Sequence, residues 1–570
     1  MTTSTADRLR ETLEALGVEY AFGYPGGRVI ELFESIGHAD SPITVVRPRD
    51  EREASVMAEA YGRLTGNPGV LMGQGPWIGS LGAIGQMEAR LGSSPMVVLT
   101  EASERGEYST LAPYQQSRGD YGGLSLPKIL DGITKEWWFP RTPAETIRST
   151  QLAFKHATAG RNGPCAVILD GNAVAAAYPD SSTPRVWDDD EQVRNWQARP
   201  TDDDIEAAHE ALSGANRPVI LVGNGVHAAD AYDELVAVAD VYDAVVATSY
   251  LGKSTIPETN PRATGVVGSF GHEGANRVVS EADVLLVVGC RLNPMDTNWG
   301  AESFVRPDEQ TIIHADVDTR NAGWVSPADV GLIGDAKESL GALADRGRTD
   351  EQTNAETSWA LERAAKAQED FHVPECESDA FPIKPQRVPK AIEAVLGENT
   401  VVTADSGNNR FWLLNYLQVG ETACYYGSGG VGAMGWAAPA AVTASLLGHD
   451  AIAVAGDGGF TMTMTAVETA VDQEVAPTFV VLNDRSLGMV RQMDDTMPGV
   501  EFHDTDFVAV ARAMGGDGVR VESAEELEST IRDATRADVP MVVDVPIDRE
   551  ESMADQLSSS FYDEVGGLHE

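Results

Sequence analysis

A chain of 570 residues is too long for one hydrophobic core and divides into three or four domains. Apolar residues make up 42% of it, ordinary for a soluble globular protein, and no uninterrupted apolar run reaches the roughly 18 residues of a membrane span. Its 88 acids against 42 bases leave a net charge of -46, which argues against nucleic acid and anionic membrane surfaces as partners. The acids are spread over all regions, the pattern expected of a halophilic cytoplasm, where salt near 1 M cuts the screening length to about 3 Å. Cys165, Cys290, Cys376 and Cys424 lack metal-type spacing and read as reduced core residues of a cytoplasmic protein.

Leu9, Leu13 and Leu16 recur at helical spacing behind a Ser4/Thr5 cap, which predicts an amphipathic helix rather than a signal peptide. Strand-like runs follow at Ile43–Val46, Val70–Met72 and Met96–Thr100. A polar, Pro-containing linker is expected over Pro179–Thr201. A second block has runs at Val219–Gly223, Val245–Thr248, Val284–Gly289 and Thr311–Ala315. Gly347–Glu377 reads as a charged linker with a helix near Trp359. The last block has runs at Val401–Ala404, Ile452–Ala455, Thr478–Leu482 and Met541–Val545. Short apolar strands alternating with helices predict α/β architecture: three doubly wound parallel sheets, in domains spanning 1–178, 200–346 and 380–550. The GxGxxA pattern from Gly223 to Ala228 reads as a tight strand-to-helix turn, a lone match being weak support for a dinucleotide site.

The most specific signal is Gly456-Asp457-Gly458-Gly459, placed directly after an apolar strand, with Asn483-Asp484-Arg485-Ser486 after the next one. Glycines let a diphosphate approach backbone N–H groups, and Mg²⁺ needs hard oxygen ligands from few protein groups. Asp457 and Asp484, each at the end of a strand, can meet at one metal. A helix is expected after Gly459, with Met464, Val467 and Val471 on one face.

The GDG, 24 residues, Asn-Asp spacing resembles the thiamine-diphosphate signature. The resemblance runs over nearly the whole chain and is to the acetolactate synthase large-subunit family. Gly17 to Gly27 (GVEYAFGYPGG) resembles that family's opening, and Arg49-Asp50-Glu51 through Gly66 resembles its RHE…GYARATG element. The resemblance implies thiamine diphosphate and Mg²⁺ as cofactors. Glu51 would be the activating glutamate, kept protonated by a dry environment so that it can drive tautomerisation of the aminopyrimidine. Standing alone, it would read as a solvated acid among Asp50, Arg52 and Glu53. The metal would take Asp457, Asp484 and the backbone carbonyl of Ser486. The cofactor would further meet Gly407, Asn408, Asn409, Gly456, Gly458, Gly459 and Asn483. The Gly432 carbonyl would accept from the aminopyrimidine, with Met434 as the wedge that bends the cofactor.

The resemblance weakens around the substrate. Gly73 to Gly79 stands for the family's SGPGATN, Pro113-Tyr114-Gln115-Gln116 for its AFQE element, and Met493 for a Trp. Tyr114, Gln115 and Met493 are the candidate substrate contacts, with packing beneath the helix near Leu487 as the alternative for Met493. Arg291, Asn293, Pro294 and Asp296 match the family's ARFDDR only in part, and Gly268 to His272 its flavin loop only in part, so FAD stays open. The expected reaction is decarboxylation of a 2-oxo acid such as pyruvate, then carboligation to a second carbonyl compound. The alternatives are another decarboxylase or carboligase, and a silent cofactor-binding partner subunit. The resemblance also implies a homodimer or homotetramer with the active site at the subunit interface, and a regulatory small subunit.

Overall fold

The computed structural model describes residues 3–38, 40–102, 115–120, 122–178, 185, 187, 196–297, 300, 304–348 and 358–553. They group into two compact units. The first holds the N-terminal part to Trp196 with Gly429–Leu447 and Thr463–Glu474; the second holds the remainder. Between them the units contain three six-stranded sheets, parallel throughout.

The first unit opens on the helix Thr5–Ala15, closed by a reciprocal Ser4–Asp7 capping box. Leu9 and Leu13 on its inner face are fully buried. Its sheet is built from β1 (Tyr20–Gly23), β2 (Thr44–Val46), β3 (Gly69–Gly73), β4 (Met96–Ala102), β5 (Glu136–Trp138) and β6 (Pro164–Asp170). The spatial order is β2-β1-β3-β4-β6-β5. All seven residues of β6 are buried, as a strand covered on both faces requires. The helices Ala437–Leu446 and Ala466–Asp472 also belong to this unit, and the first packs on the helix Glu51–Thr65.

The second unit carries two sheets. One is formed by β7 (Pro218–Val222), β8 (Val245–Thr248), β9 (Ala263–Val266), β10 (Val284–Val288), β11 (Thr311–Asp316) and β12 (Val330–Ile333) in the order β12-β11-β10-β7-β8-β9. The other comprises β13 (Thr400–Ala404), β14 (Tyr425–Gly427), β15 (Asp450–Gly456), β16 (Thr478–Asn483), β17 (Asp517–Arg520) and β18 (Met541–Pro546). Its order, β14-β13-β15-β16-β18-β17, repeats that of the first sheet strand for strand. A buried ion pair ties these two parts together. Lys253 Nζ donates to both carboxylate oxygens of Glu258, at 2.6 and 2.7 Å, and to the Leu417 carbonyl at 2.7 Å.

The sequence expectation needs correcting at one place. The helix after β15 starts at Asp457 itself, ends at Thr463, and resumes only at Ala466. Gly458 and Gly459 therefore lie in a first helical turn, and Met464 falls in the break. Among the described residues no helix is long and apolar enough to cross a membrane.

Candidate functional site

In an open parallel sheet, ligands collect at the carboxyl ends of the strands, where the strand order reverses. In the third sheet that point lies between β13 and β15. The chain leaves β13 through Asp405 and Gly407, whose φ of +112° is open to glycine and strained for other residues. Asn409 is buried, and its amide donates to the carbonyls of Asp405 (2.9 Å) and Val454 (3.3 Å), pinning the ends of β13 and β15 together. Asp457 follows β15 directly, leading a helix whose first-turn N–H groups have no intrahelical partner.

Beside it, β16 ends in Asn483 and Asp484. Asn483 turns sideways, donating to Asp544 Oδ1 on β18 at 2.9 Å. Asp484 Oδ1 accepts the Ser486 N–H at 3.0 Å. Ser486 pairs with Glu501 as a non-hydrogen-bonded partner, since the ladder bonds run from Leu487 to Val500 and from Phe502 to Arg485. Its N–H and C=O accordingly point away from that partner, on the side of Asp484. Burial, and then the neighbouring charge of Asp484, push the Asp457 carboxyl up to about 8. Burial raises Asp484 as well. Two desolvated carboxylates and a backbone carbonyl, their repulsion only partly offset at Asp484 by the charges of Arg549 and Arg491, suit a hard divalent cation. Met493 is 57% exposed, so the packing alternative for it does not hold.

The corresponding point of the first sheet lies between β1 and β3. Here Glu51 begins the helix Glu51–Thr65 behind the N-cap Asp50. Tyr24, Pro25, Gly26, Arg49, Glu51, Gln74, Trp77 and Leu81 line a cavity of about 390 Å³. Glu51 is only 7% exposed, and burial raises its pKa. These are the dry surroundings expected of it, and not the solvated ones that the residue taken alone suggests. Glu53 is buried too, accepting from Thr465 Oγ1 and from the Arg49 N–H at 3.3 Å. Arg49 is itself held by Glu468 and Asp472, both at 2.8 Å. Gln115 is joined to Gln74, whereas Tyr114 lies outside the described residues.

Gly432 and Met434 belong to this first unit, on a segment anchored by a residue the motifs did not flag. Glu88 accepts the N–H groups of Gly429 (2.8 Å), Gly430 (2.5 Å) and Val431 (2.9 Å). Arg63, buried beneath it, bridges Glu88 (3.2 Å) and Glu59 (2.5 Å), and Glu59 also accepts from the Trp436 indole at 2.7 Å. Burial opposes charge on Glu88, but Arg63 and the three N–H groups outweigh it and hold its carboxyl low. Glu59 is raised by burial. The usable sequence signal was the polar pair Gln86 and Glu88 on the buried face of the helix Ala83–Gly92.

The flavin-loop residues are occupied with one another. Gly268 exchanges hydrogen bonds with the Asn276 amide at 2.8 and 3.0 Å, and Ser269 N–H donates to the Met295 carbonyl at 3.0 Å. Phe270 N–H donates to Tyr250 Oη at 2.9 Å, and its ring stacks on Phe411 at 3.8 Å. Asp296 accepts from Tyr250 N–H at 3.2 Å and from Asn293. The turn after β7 meets the loop after β10 backbone to backbone, Gly225 N–H donating to the Gly289 carbonyl at 3.0 Å. These loop groups are thus engaged within the protein.

Three family models match the chain. They are the N-terminal TPP binding domain (3–121), the central domain (205–343) and the C-terminal TPP binding domain (405–545) of the thiamine pyrophosphate enzymes. The probable acetolactate synthase large subunit of Methanocaldococcus jannaschii is 31% identical, over 96% of this chain and 92% of its own length. The acetolactate synthase large subunit of Parasynechococcus marenigrum is 30% identical over 97% and 88%. The isozyme 3 large subunit of Escherichia coli K12 is 28% identical over 96% and 95%. The chain belongs to the family of thiamine-diphosphate-dependent enzymes that contains the acetolactate synthase large subunits.

Proposed function

We propose that this enzyme decarboxylates a 2-oxo acid such as pyruvate and joins the remaining fragment to a second carbonyl compound, as an acetolactate synthase does. The observation that carries the reading is Glu51, a dry carboxyl with a raised pKa on the wall of a cavity of about 390 Å³. Thiamine diphosphate, when bound, supplies a nucleophilic carbon and an electron sink. Burial raises the proton affinity of Glu51, and its carboxyl would hydrogen-bond the ring nitrogen of the aminopyrimidine. Asp457, Asp484 and the Ser486 carbonyl would hold Mg²⁺, and the backbone around Gly407 to Asn409 and Gly456 to Gly459 would receive the diphosphate. Gly432 and Met434 orient the pyrimidine. The first domain of one subunit faces the third domain of another, making a dimer the smallest active form, and a regulatory small subunit binds elsewhere. The charge of -46 supports a salt-rich cytoplasm.

Glu51→Gln tests the assignment, since it keeps the shape and removes the titrating proton. The variant should still bind cofactor, while exchange of the thiazolium C2 proton, followed by NMR, should slow by about 10² or more. Exchange at the wild-type rate would remove Glu51 from the chemistry.

A further inference from the structure

The cavity over Glu51 has one wall that the reaction described so far does not use. Trp77 stands in the short helix Gly75–Ile78, immediately after β3, in the stretch that resembles SGPGATN, none of whose residues is aromatic. Its side chain is 43% exposed and lines the cavity with Tyr24 and Leu81, themselves 38% and 39% exposed. The indole is held in place. Its Nε1–H donates to Gln74 Oε1 at 3.2 Å, and Gln74 Nε2 donates to Gln115 Oε1 at 3.2 Å. The Gln74 side chain is itself cradled by two glycines. A Cβ on Gly26 would come 3.1 Å from Gln74 Oε1, and one on Gly27 would come 3.1 Å from its Cγ. Gln115 holds a φ of +51°, uncommon away from glycine and the kind of strain that accumulates at functional sites. Arg49 lines the same cavity, but with both Glu468 and Asp472 on its guanidinium it is a poor anchor for a substrate carboxylate. Selection in this cavity therefore falls to its apolar walls and the Gln74 amide, which Gln115 holds from behind.

We infer that Trp77, clamped by Gln74 and Gln115, is a specificity-determining residue that limits the second carbonyl substrate to a short side chain. The inference rests on the carboligase reading and deepens it. A clamped indole presents a rigid apolar surface with little entropy left to lose. A wall of this kind rejects extra methylenes by overlap, at roughly tenfold or more each.

The holoenzyme is given pyruvate as donor, with competing acceptor 2-oxo acids carrying side chains of one, two and three carbons, and the product ratio is read. Trp77→Ala should move the ratio about tenfold toward the longer acceptors. Trp77→Phe should move it less, and Gln74→Met, which frees the indole, should move it in the same direction. Addition of pyruvate should also quench a component of tryptophan emission that Trp77→Phe lacks. An unchanged product ratio in Trp77→Ala, or equal quenching in wild type and Trp77→Phe, overturns the inference. Absence of CO₂ release from every 2-oxo acid in the wild type overturns the carboligase reading instead, and the quenching comparison still decides whether Trp77 faces the ligand.

Discussion

Glu51 and Glu53 lie two residues apart in the first turn of one helix, and burial raises the pKa of both. Their neighbours separate their roles. Glu51 faces a cavity, where a retained proton is available to a ligand. Glu53 faces Thr465, Thr469 and the Arg49 N–H, where it closes packing and meets no solvent. The Glu53 carboxyl is pushed up to about 7 from an ordinary 4.5. The fold favours its protonated form, so this group stabilises the protein most below the unfolded value and loses that contribution as the pH rises through about 7. Glu53→Gln keeps the shape and does not titrate. Denaturant unfolding of both proteins should show wild type losing up to about 3 kcal/mol relative to the variant between about pH 4.5 and 7.5. A constant difference over that range would place Glu53 in contact with water. The sequence marks Glu51 through its surrounding motif, but it shows no distinction in burial between Glu51 and Glu53, because that depends on Thr465 and Thr469, more than 400 residues away.

The segment Gly429–Val431 is short, glycine-rich and outside any strand, so it needs an external anchor, and Glu88 supplies one. A Cβ on Gly430 would come 2.5 Å from the Glu88 carbonyl, so the close approach depends on glycine. Glu88→Gln leaves one acceptor oxygen for three donors and removes the charge that Arg63 faces. Breaking a buried pair from one side costs about 3–5 kcal/mol. The variant should melt at lower temperature, and amide exchange by mass spectrometry should quicken in peptides covering 429–434. Unchanged exchange there would mean that the loop is held by other contacts. Strands β7, β10, β15 and β16 were legible as apolar runs covered on both faces. The edge strands β5 and β14 were not. β6 also went unread, although its buried run from Ala166 to Leu169 carried the signal. Asp457 and Asp484 were marked by spacing because each follows a strand end, whereas Ser486 was marked only by the family resemblance. The inward turn of Asn409 and Asn483, and the clamp on Trp77, were not legible, since they depend on rotamers set by partners from other strands.

Across the whole molecule, the first and third sheets share one strand order, and each carries its candidate residues at the pair where that order reverses. Alternating strands and helices announced the class of fold but not this order, which follows from which strands pair. Composition speaks at this scale to a different property. A net charge of -46 sets like charges against one another over the surface. Exposed ion pairs such as Arg512–Asp517 and Arg277–Glu273 pull the other way. Each such pair is worth about 0–1 kcal/mol and weakens in salt, whereas 42 bases can neutralise fewer than half of 88 acids. Repulsion among the surplus acids should therefore win. Raising KCl from about 0.1 to 1 M shortens the screening length from about 10 to 3 Å, which quiets most of that repulsion. The melting temperature should rise by about 5–10 °C over that range, the equivalent of about 2–3 kcal/mol per domain. Scanning calorimetry in KCl measures the shift, and a sulfate series at matched ionic strength separates screening from exclusion of salt at the surface. A melting temperature that falls with KCl would mean that the ion pairs outweigh the net charge, and the argument for a salt-rich habitat would fall with it.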